Sequence, residues 1–177
     1  MLAWFFYRLG WTVKGEFPPQ HKKYVVAVAP HTSGWDFVIG IMARSAIKMK
    51  HTHYLGKSQL FRPPFGWFFR MLGGTPVDRS SPHNVVDQVV QIFNAHDEYI
   101  VALAPEGTRK KVEQLRTGFY YIAKKAGVPI VPVGFDFEKK QVIIGEPLFP
   151  SENFDADIQV LLNFYRTIKG KIPEFGL

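Results

Sequence analysis

Short apolar runs that are typical of buried strands alternate along the chain with segments whose apolar residues have helical spacing. The predicted strands cover 24–29, 52–56, 75–78, 99–104, 129–137 and 141–148. Strands that alternate with helices are typical of α/β proteins, in which helical crossovers connect parallel strands. The sequence therefore predicts an α/β fold with a mainly parallel central sheet flanked by helices.

Helix signals occupy most of the intervening segments. The predicted helices follow the first strand, begin near 65 after two prolines, cover 82 to about 95 and 117–126, and close the chain up to about 169. Ser80 or Ser81 is placed to cap the helix that starts at 82, and Ser151 or Asp155 is placed to cap the closing helix.

The length of 177 residues predicts one domain over residues 1–177, because no internal repeat or low-complexity tract divides the chain. Three parts are expected within it. They are a membrane-interface helix over 1–14, an α/β core over 22–150 and a closing helix over 151–177.

Two aromatic segments favour contact with a membrane surface. Residues 1–13 are almost wholly apolar, with Arg8 as their only charge, and they are too short to span a bilayer, which takes roughly 20 residues. Residues 61–72 interleave five aromatic side chains with Arg62 and Arg70. Aromatic rings favour the lipid headgroup layer. For residues 1–13, a helix packed on the protein's own core remains the alternative.

Composition narrows the classes of partner and chemistry. A formal net charge of +7 favours anionic partners. The absence of cysteine excludes a disulfide framework, a thiolate nucleophile and a cysteine-based zinc site. His51 and His53 lie two residues apart with no third ligand nearby, so no metal site is expected. Because no nucleic-acid-binding motif is present, nucleic acid is not an expected partner.

The junction between the first predicted strand and the helix after it carries a histidine and a carboxylate, in the segment His31-Thr-Ser-Gly-Trp-Asp36. If Asp36 lies in the first helical turn, its carboxylate can accept a hydrogen bond from one ring nitrogen of His31 and leave the other as a base. In the alternative interpretation Ser33 or Asp36 only caps the helix, and His31 is an ordinary loop residue.

Two further loops follow predicted strands and bring cations to the same sheet edge. The third loop offers a carboxylate, a permissive backbone, a hydroxyl and a guanidinium, on Glu106, Gly107, Thr108 and Arg109. The second loop adds Arg79, and Lys57 adds an ammonium group. A base beside three cations predicts a phosphorylated substrate with a reactive hydroxyl. Alternatively, Arg109 forms a surface ion pair with Glu106 or Glu113, and the other two cations are solvated.

Four sequence blocks together resemble the glycerolipid acyltransferase family, whose best-known members are 1-acylglycerol-3-phosphate acyltransferases. The blocks are HTSGWD, KSQLF with the following PFGWFFRMLGGTPVDR, APEGTR and VPIVPV, and they run from residue 30 to 133 in the order and spacing of the family. The resemblance implies an α/β acyltransferase fold at a membrane surface, with the first helix lying in the interface. Ala104 departs from the pattern, since the family usually has an aromatic residue there.

The resemblance also implies roles for individual residues. His31 would be the general base and Asp36 its orienting partner. The substrate-binding residues would be Lys57, Arg79, Glu106, Gly107, Thr108 and Arg109, of which the three cations would bind the acceptor's phosphate. Pro132 would help to form the acyl-donor side.

The expected reaction is transfer of a fatty acyl group from acyl-CoA or acyl carrier protein to a hydroxyl of a lysophospholipid. Without cysteine or a Gly-x-Ser-x-Gly motif, direct transfer is favoured over an acyl-enzyme, and no cofactor is required. The expected location is the cytoplasmic face of a membrane, as a peripheral or monotopic protein. The alternatives are a non-catalytic lipid-binding protein and a hydrolase that uses Ser33 or Ser58.

Overall fold

A seven-stranded sheet forms the centre of the protein, as seen in a computed structural model that describes residues 2–49, 51–78 and 82–176, with the backbone alone for 82–84. The strands are β1 (Thr12–Lys14), β2 (Lys23–Val28), β3 (Thr52–Lys57), β4 (Gly74–Val77), β5 (Tyr99–Leu103), β6 (Ile130–Asp136) and β7 (Gln141–Ile144). Their order is β1-β7-β6-β2-β5-β3-β4, and all neighbours are parallel except β6 and β7. The predicted fold class is confirmed.

Helices cover both faces of this sheet. They are α1 (Leu2–Arg8), α2 (Trp35–Ala46), α3 (Gly66–Met71), α4 (Pro82–Ala95), α5 (Gly118–Ala126) and α6 (Phe154–Tyr165), with short 3-10 turns at Ser58–Phe61 and Pro173–Phe175. One apolar core lies between the sheet and α4, α5 and α6, and a second lies between the sheet and α1 and α2. Both faces of the central strands are therefore buried, which explains their continuous apolar sequence.

The N-terminal segment differs from the predicted interface helix over 1–14. The helix ends at Arg8, because Gly10 adopts a left-handed conformation at φ 82°, and the next residues form β1 beside β7. Trp11 is 5% exposed and meets the ring of Phe137 edge-on at 5.0 Å, so it does not face solvent. Phe6 is fully buried. The first fourteen residues are thus part of the core as well as of the surface.

The C-terminal elements are also shorter than predicted. Strand β7 ends at Ile144 instead of 148. Beyond it, Pro147 has no N–H to donate to a ladder, and the pairing with β6 is reduced to a hydrogen bond from Gly145 to Pro132 and a bridge between Leu148 and Ile130. Helix α6 ends at Tyr165 instead of 169. Its cap is Asn153, whose side chain accepts a hydrogen bond from the N–H of Ala156, and neither predicted residue takes that place. The predicted cap of α4 at Ser80 or Ser81 lies outside the described residues.

The surface formed by α1, α2 and α3 exposes large apolar side chains. They are Leu2, Trp4, Phe5, Tyr7 and Leu9 at α1, Trp35, Phe37 and Val38 at the start of α2, and Leu60, Phe65, Trp67, Phe68 and Met71 around α3. We call these residues the aromatic surface. Among the described residues, no helix has the length and apolar character needed to cross a bilayer.

Candidate active site

His31 and Asp36 are held together at the carboxyl end of β2. Strand β2 ends at Val28, and α2 begins at Trp35, so Asp36 lies in the first helical turn. The Nδ1 atom of His31 is 3.0 Å from Oδ2 of Asp36, which also accepts a hydrogen bond from the N–H of Ser33 at 2.9 Å. Asp36 is 2% exposed. Because Nδ1–H donates to this carboxylate, Nε2 is the ring nitrogen left to act as a base.

A cavity of about 530 Å³ opens beside this pair. Its mouth is lined by His31, Asp36, Thr108 and Arg109. Its interior runs between α2 and the sheet, and the walls include Val26, Val28, Gly40, Ile41, Ala102, Val133 and Phe135. Helix α2 is about 18 Å long, since each of its 12 residues adds about 1.5 Å. The lining is thus mainly apolar, with polar groups beside His31 and further polar or charged residues at Arg44, Thr52, His53 and Tyr54.

Arg109 lies against the N-terminal end of α2. A Cβ atom placed on Gly34 would be 3.7 Å from Nη1 of Arg109. Arg109 is exposed and forms no ion pair within the described ranges, so the alternative pairing with Glu106 or Glu113 is absent there. A guanidinium beside a helix N-terminus attracts a bound anion at the cavity mouth.

Gly107 shapes the loop that presents Arg109. Its φ of 67° lies in the left-handed region, and a Cβ atom there would lie 2.5 Å from the side chain of Arg116. Both features favour glycine. Gly107 and Thr108 line the cavity beside Arg109.

Glu106 occupies a different place from the predicted acceptor site. Its side chain is 1% exposed, does not line the cavity and accepts a hydrogen bond from the backbone N–H of His31 at 3.0 Å to each oxygen. Burial raises the pKa of this carboxyl group to about 7, against the opposing effect of the His31 hydrogen bond. Glu106 therefore holds the main chain that carries His31, and its side chain lies outside the cavity lining.

The raised pKa of Glu106 predicts a pH-dependent contribution to stability. The folded protein binds this proton more tightly than an unfolded chain, whose glutamate pKa is near 4.5. The stabilisation is therefore complete below about pH 4.5 and is lost as the pH rises through about 7. We expect the difference in free energy of unfolding, wild type minus Glu106→Gln, to decrease as the pH rises from about 5 to about 8. Denaturant titrations measure it, and a difference that rises or stays constant contradicts the assignment.

The remaining predicted residues lie farther from the cavity or outside the described part. Lys57 is the exposed last residue of β3, at the same sheet edge as His31, and it does not line the cavity. Pro132 lies in β6, where its ring faces Gly145, and it does not line the cavity either. Arg79 lies outside the described residues. Ala104 does line the cavity, where a larger side chain would reduce its width.

Sequence reasoning missed the apolar walls of the cavity. The strand residues Val26, Val28, Ala102 and Val133 carry no signal that separates a cavity wall from a filled core. Gly40 does carry one, because a glycine in the middle of a helix costs roughly 1 kcal/mol relative to alanine and calls for a packing reason.

Comparison with known proteins gives a consistent result. Residues 11–136 match the family model described as Acyltransferase. The chain is 30% identical over 135 residues to 1-acyl-sn-glycerol-3-phosphate acyltransferase of Streptococcus pneumoniae, covering 71% of this chain and 49% of that protein. It is 32% identical over 115 residues to the enzyme of that name from Escherichia coli, covering 61% and 45%. The chain thus spans about half the length of these curated relatives.

One solved structure shares the fold. It is the crystal structure of the 1-acyl-sn-glycerophosphate (LPA) acyltransferase from Thermotoga maritima, matched with a TM-score of 0.58 at 23% identity. The match covers 90% of this chain and 75% of that chain.

Proposed function

Since the chain belongs to the acyltransferase family, we propose that it moves a fatty acyl group from a thioester donor to a hydroxyl of a lysophospholipid such as 1-acylglycerol 3-phosphate. The donor is acyl-CoA or acyl carrier protein. The observation that carries the proposal is the His31–Asp36 pair at the mouth of an apolar cavity, with Arg109 beside it. Base, cation and apolar channel match the three parts of the reaction: a hydroxyl, a phosphate and an acyl chain.

In the proposed mechanism, Nε2 of His31 accepts the proton of the acceptor hydroxyl as that oxygen attacks the thioester carbonyl. The tetrahedral intermediate then collapses, the carbon–sulfur bond breaks, and the thiolate takes the proton from His31. Asp36 stabilises the imidazolium that exists between these steps. The guanidinium of Arg109 is the proposed group that stabilises the oxyanion, because the N–H groups of Ser33, Trp35 and Asp36 at the start of α2 already donate hydrogen bonds within the protein.

Direct transfer is favoured over a covalent acyl-enzyme. The chain has no cysteine. Among the described residues, no serine or threonine hydroxyl is hydrogen-bonded to the ring of His31; the hydroxyl of Ser33 instead accepts a hydrogen bond from the N–H of Trp35 at 3.3 Å. A serine nucleophile needs a base within hydrogen-bond reach, so the arrangement supports a base that acts on the substrate itself.

The cavity interior is the proposed site of the donor's acyl chain. The thioester carbon has to lie beside His31 during the reaction, and the chain attached to it then extends along the apolar walls under α2. Small side chains keep this path open at Gly40 and Ala104. Such an interior suits a long saturated or monounsaturated chain better than a polar group.

Gly40→Leu is expected to shorten the accepted acyl chain. A Cβ atom at position 40 lies 3.6 Å from the ring of Phe135, an ordinary contact, but a leucine side chain extends into the cavity. The ratio of kcat/KM for palmitoyl to that for decanoyl donor should fall about tenfold. Gly40→Ala is the matched control, since its methyl group fits and the ratio should stay the same. An unchanged ratio in Gly40→Leu would mean that the donor's acyl chain does not pass Gly40 in the cavity.

The aromatic surface supports a proposed location at a membrane surface, which we propose to be the cytoplasmic face. Its exposed Trp and Phe rings have the amphipathic or apolar character that favours the headgroup layer, and Arg8, Arg62 and Arg70 lie among them as exposed partners for lipid phosphates. Insertion of this surface would bring the start of α2, and with it the cavity mouth, to the plane in which a lysolipid acceptor resides.

The test of the proposed function is acyl transfer by the purified chain on lipid vesicles. We expect it to sediment with vesicles that contain phosphatidylglycerol and to convert labelled palmitoyl-CoA and a lysolipid into a diacyl product. A panel of lysolipids, each assayed with acyl-CoA and with acyl carrier protein, identifies acceptor and donor. Vesicle binding without any product would support the non-catalytic lipid-binding alternative.

A further inference from the structure

A segment after α6 crosses back over the loop that carries His31. We call residues 168–172 the strap. Ile168 is 6% exposed, and the carbonyl of Lys169 accepts a hydrogen bond from the N–H of Phe137, just beyond β6, at 2.9 Å. The strap is therefore fixed to the body of the protein independently of the loop beneath it.

The strap meets the loop at Thr32. The hydroxyl of Thr32, which is 2% exposed, accepts a hydrogen bond from the N–H of Ile172 at 3.1 Å. Gly170 lies directly over the same residue, where a Cβ atom would be 2.9 Å from the hydroxyl of Thr32 and 3.2 Å from the ring of Pro30. Glycine is thus the residue that allows this close approach.

Thr32 directly follows His31, so a shift of its side chain turns the backbone that carries the imidazole ring. Glu106 fixes the backbone N–H of His31, and Asp36 fixes the N–H of Ser33. The bond from Ile172 fixes the residue between these two. A catalytic pair has to be held within about 0.5 Å of its productive geometry, so an anchor one residue away from the ring affects that geometry directly.

We propose that the strap, acting through the hydroxyl of Thr32, is a positioning element that keeps the imidazole of His31 on the carboxylate of Asp36. Thr32 does not line the cavity. The kinetic consequence rests on the proposed function, whereas the effect on the His31–Asp36 hydrogen bond does not.

Thr32→Val removes the acceptor of the Ile172 N–H with almost no change of shape. We expect kcat of acyl transfer to fall about tenfold, while KM for donor and acceptor stays within about twofold, because only the alignment of the base changes. Thr32→Ser keeps the hydroxyl and should restore most of kcat. Equal kcat in the wild type and Thr32→Val overturns the proposal.

Gly170→Ala tests the same contact from the strap. Its methyl group displaces the strap from Thr32, and kcat should fall by a similar factor. Lys171→Ala is the matched control, since this exposed side chain lies over the ring of Phe137 and does not reach Thr32. In the double variant Thr32→Val/Gly170→Ala, kcat should be little lower than in either single variant, because both substitutions disrupt the same contact between the strap and Thr32. If Thr32→Val does not fold, the comparison of Gly170→Ala with Lys171→Ala decides alone.

A proton NMR measurement separates failure of this proposal from failure of the proposed function. The Nδ1–H of His31 shared with Asp36 gives a downfield resonance that needs no turnover to observe. The resonance should be lost or shifted upfield in Thr32→Val and Gly170→Ala and retained in Thr32→Ser and Lys171→Ala. A wild type without acyl transfer that shows this pattern refutes the function and keeps the positioning role. An unchanged resonance in all four variants refutes the positioning role.

Discussion

His31→Ala is expected to lower kcat of acyl transfer by a factor of about a hundred or more, while folding and vesicle binding stay intact. The variant removes the ring nitrogen that is proposed to take the proton of the acceptor. It leaves the backbone N–H of residue 31, and with it the hydrogen bond to Glu106, in place. Steady-state assays with saturating donor and acceptor measure the loss, and circular dichroism and vesicle sedimentation check the fold and the binding.

His51→Ala is the matched control for this variant. His51 is exposed and lies just before β3, at the sheet edge opposite His31, within 3.8 Å of Glu98. Its loss should leave kcat unchanged. If His31→Ala retains the turnover of the wild type, the general-base assignment is wrong and the function has to be sought in lipid binding.

Arg109→Ala is expected to lower kcat/KM by about ten- to a hundredfold for an acceptor with a phosphate, such as lysophosphatidate, and by less than about threefold for monoacylglycerol. 1-Monoacylglycerol presents the same secondary hydroxyl, with a free primary hydroxyl in place of the phosphate. The difference in acylation of the secondary hydroxyl therefore reports the phosphate contact. The expectation follows from the proposed function, in which the guanidinium of Arg109, in the cavity lining beside the first turn of α2, binds that phosphate with two hydrogen bonds.

Two companion variants sharpen the test of Arg109. Arg109→Lys keeps the charge but not the paired donors. Its kcat/KM for lysophosphatidate should lie between the values of the wild type and the alanine variant. Lys111→Ala removes an exposed cation two residues away that does not line the cavity. It should leave kcat/KM unchanged for both acceptors. An equal loss for both acceptors in Arg109→Ala would assign Arg109 to the oxyanion step in place of phosphate binding.

The parts of the molecule that sequence could predict are those determined locally. The strands 24–29 and 99–104 are apolar along their length, and the loops after them come from the same sheet edge in any parallel arrangement. His31 and Asp36 lie on either side of one strand–helix junction, so their spacing alone brings them within reach. Arg109 follows the neighbouring strand and reaches the same place by topology.

The parts that sequence could not predict depend on contacts between distant residues. Glu106 stands in a polar loop beside Gly107 and Arg109 and resembles a surface ligand, yet it points inward to an N–H group 75 positions away in the chain. The bond between Thr32 and Ile172 spans 140 positions and joins two segments that carry no mutual signal. The three residues of β1 directly follow the aromatic run and are predicted from sequence to lie in one interface helix with it.

The N-terminal residues contribute both to the exposed aromatic surface and to the folded core. This determines how membrane attachment can be tested. Trp4 and Tyr7 are exposed, whereas Phe6 is fully buried in the core. A few residues later, the same segment forms the edge strand β1 beside β7. Cutting this segment away would strip a core side chain worth roughly 1.5–3 kcal/mol together with an edge strand, and loss of vesicle binding would then be indistinguishable from misfolding. Single substitutions of the exposed rings, such as Trp4 and Tyr7, can separate membrane binding from folding, whereas a deletion cannot.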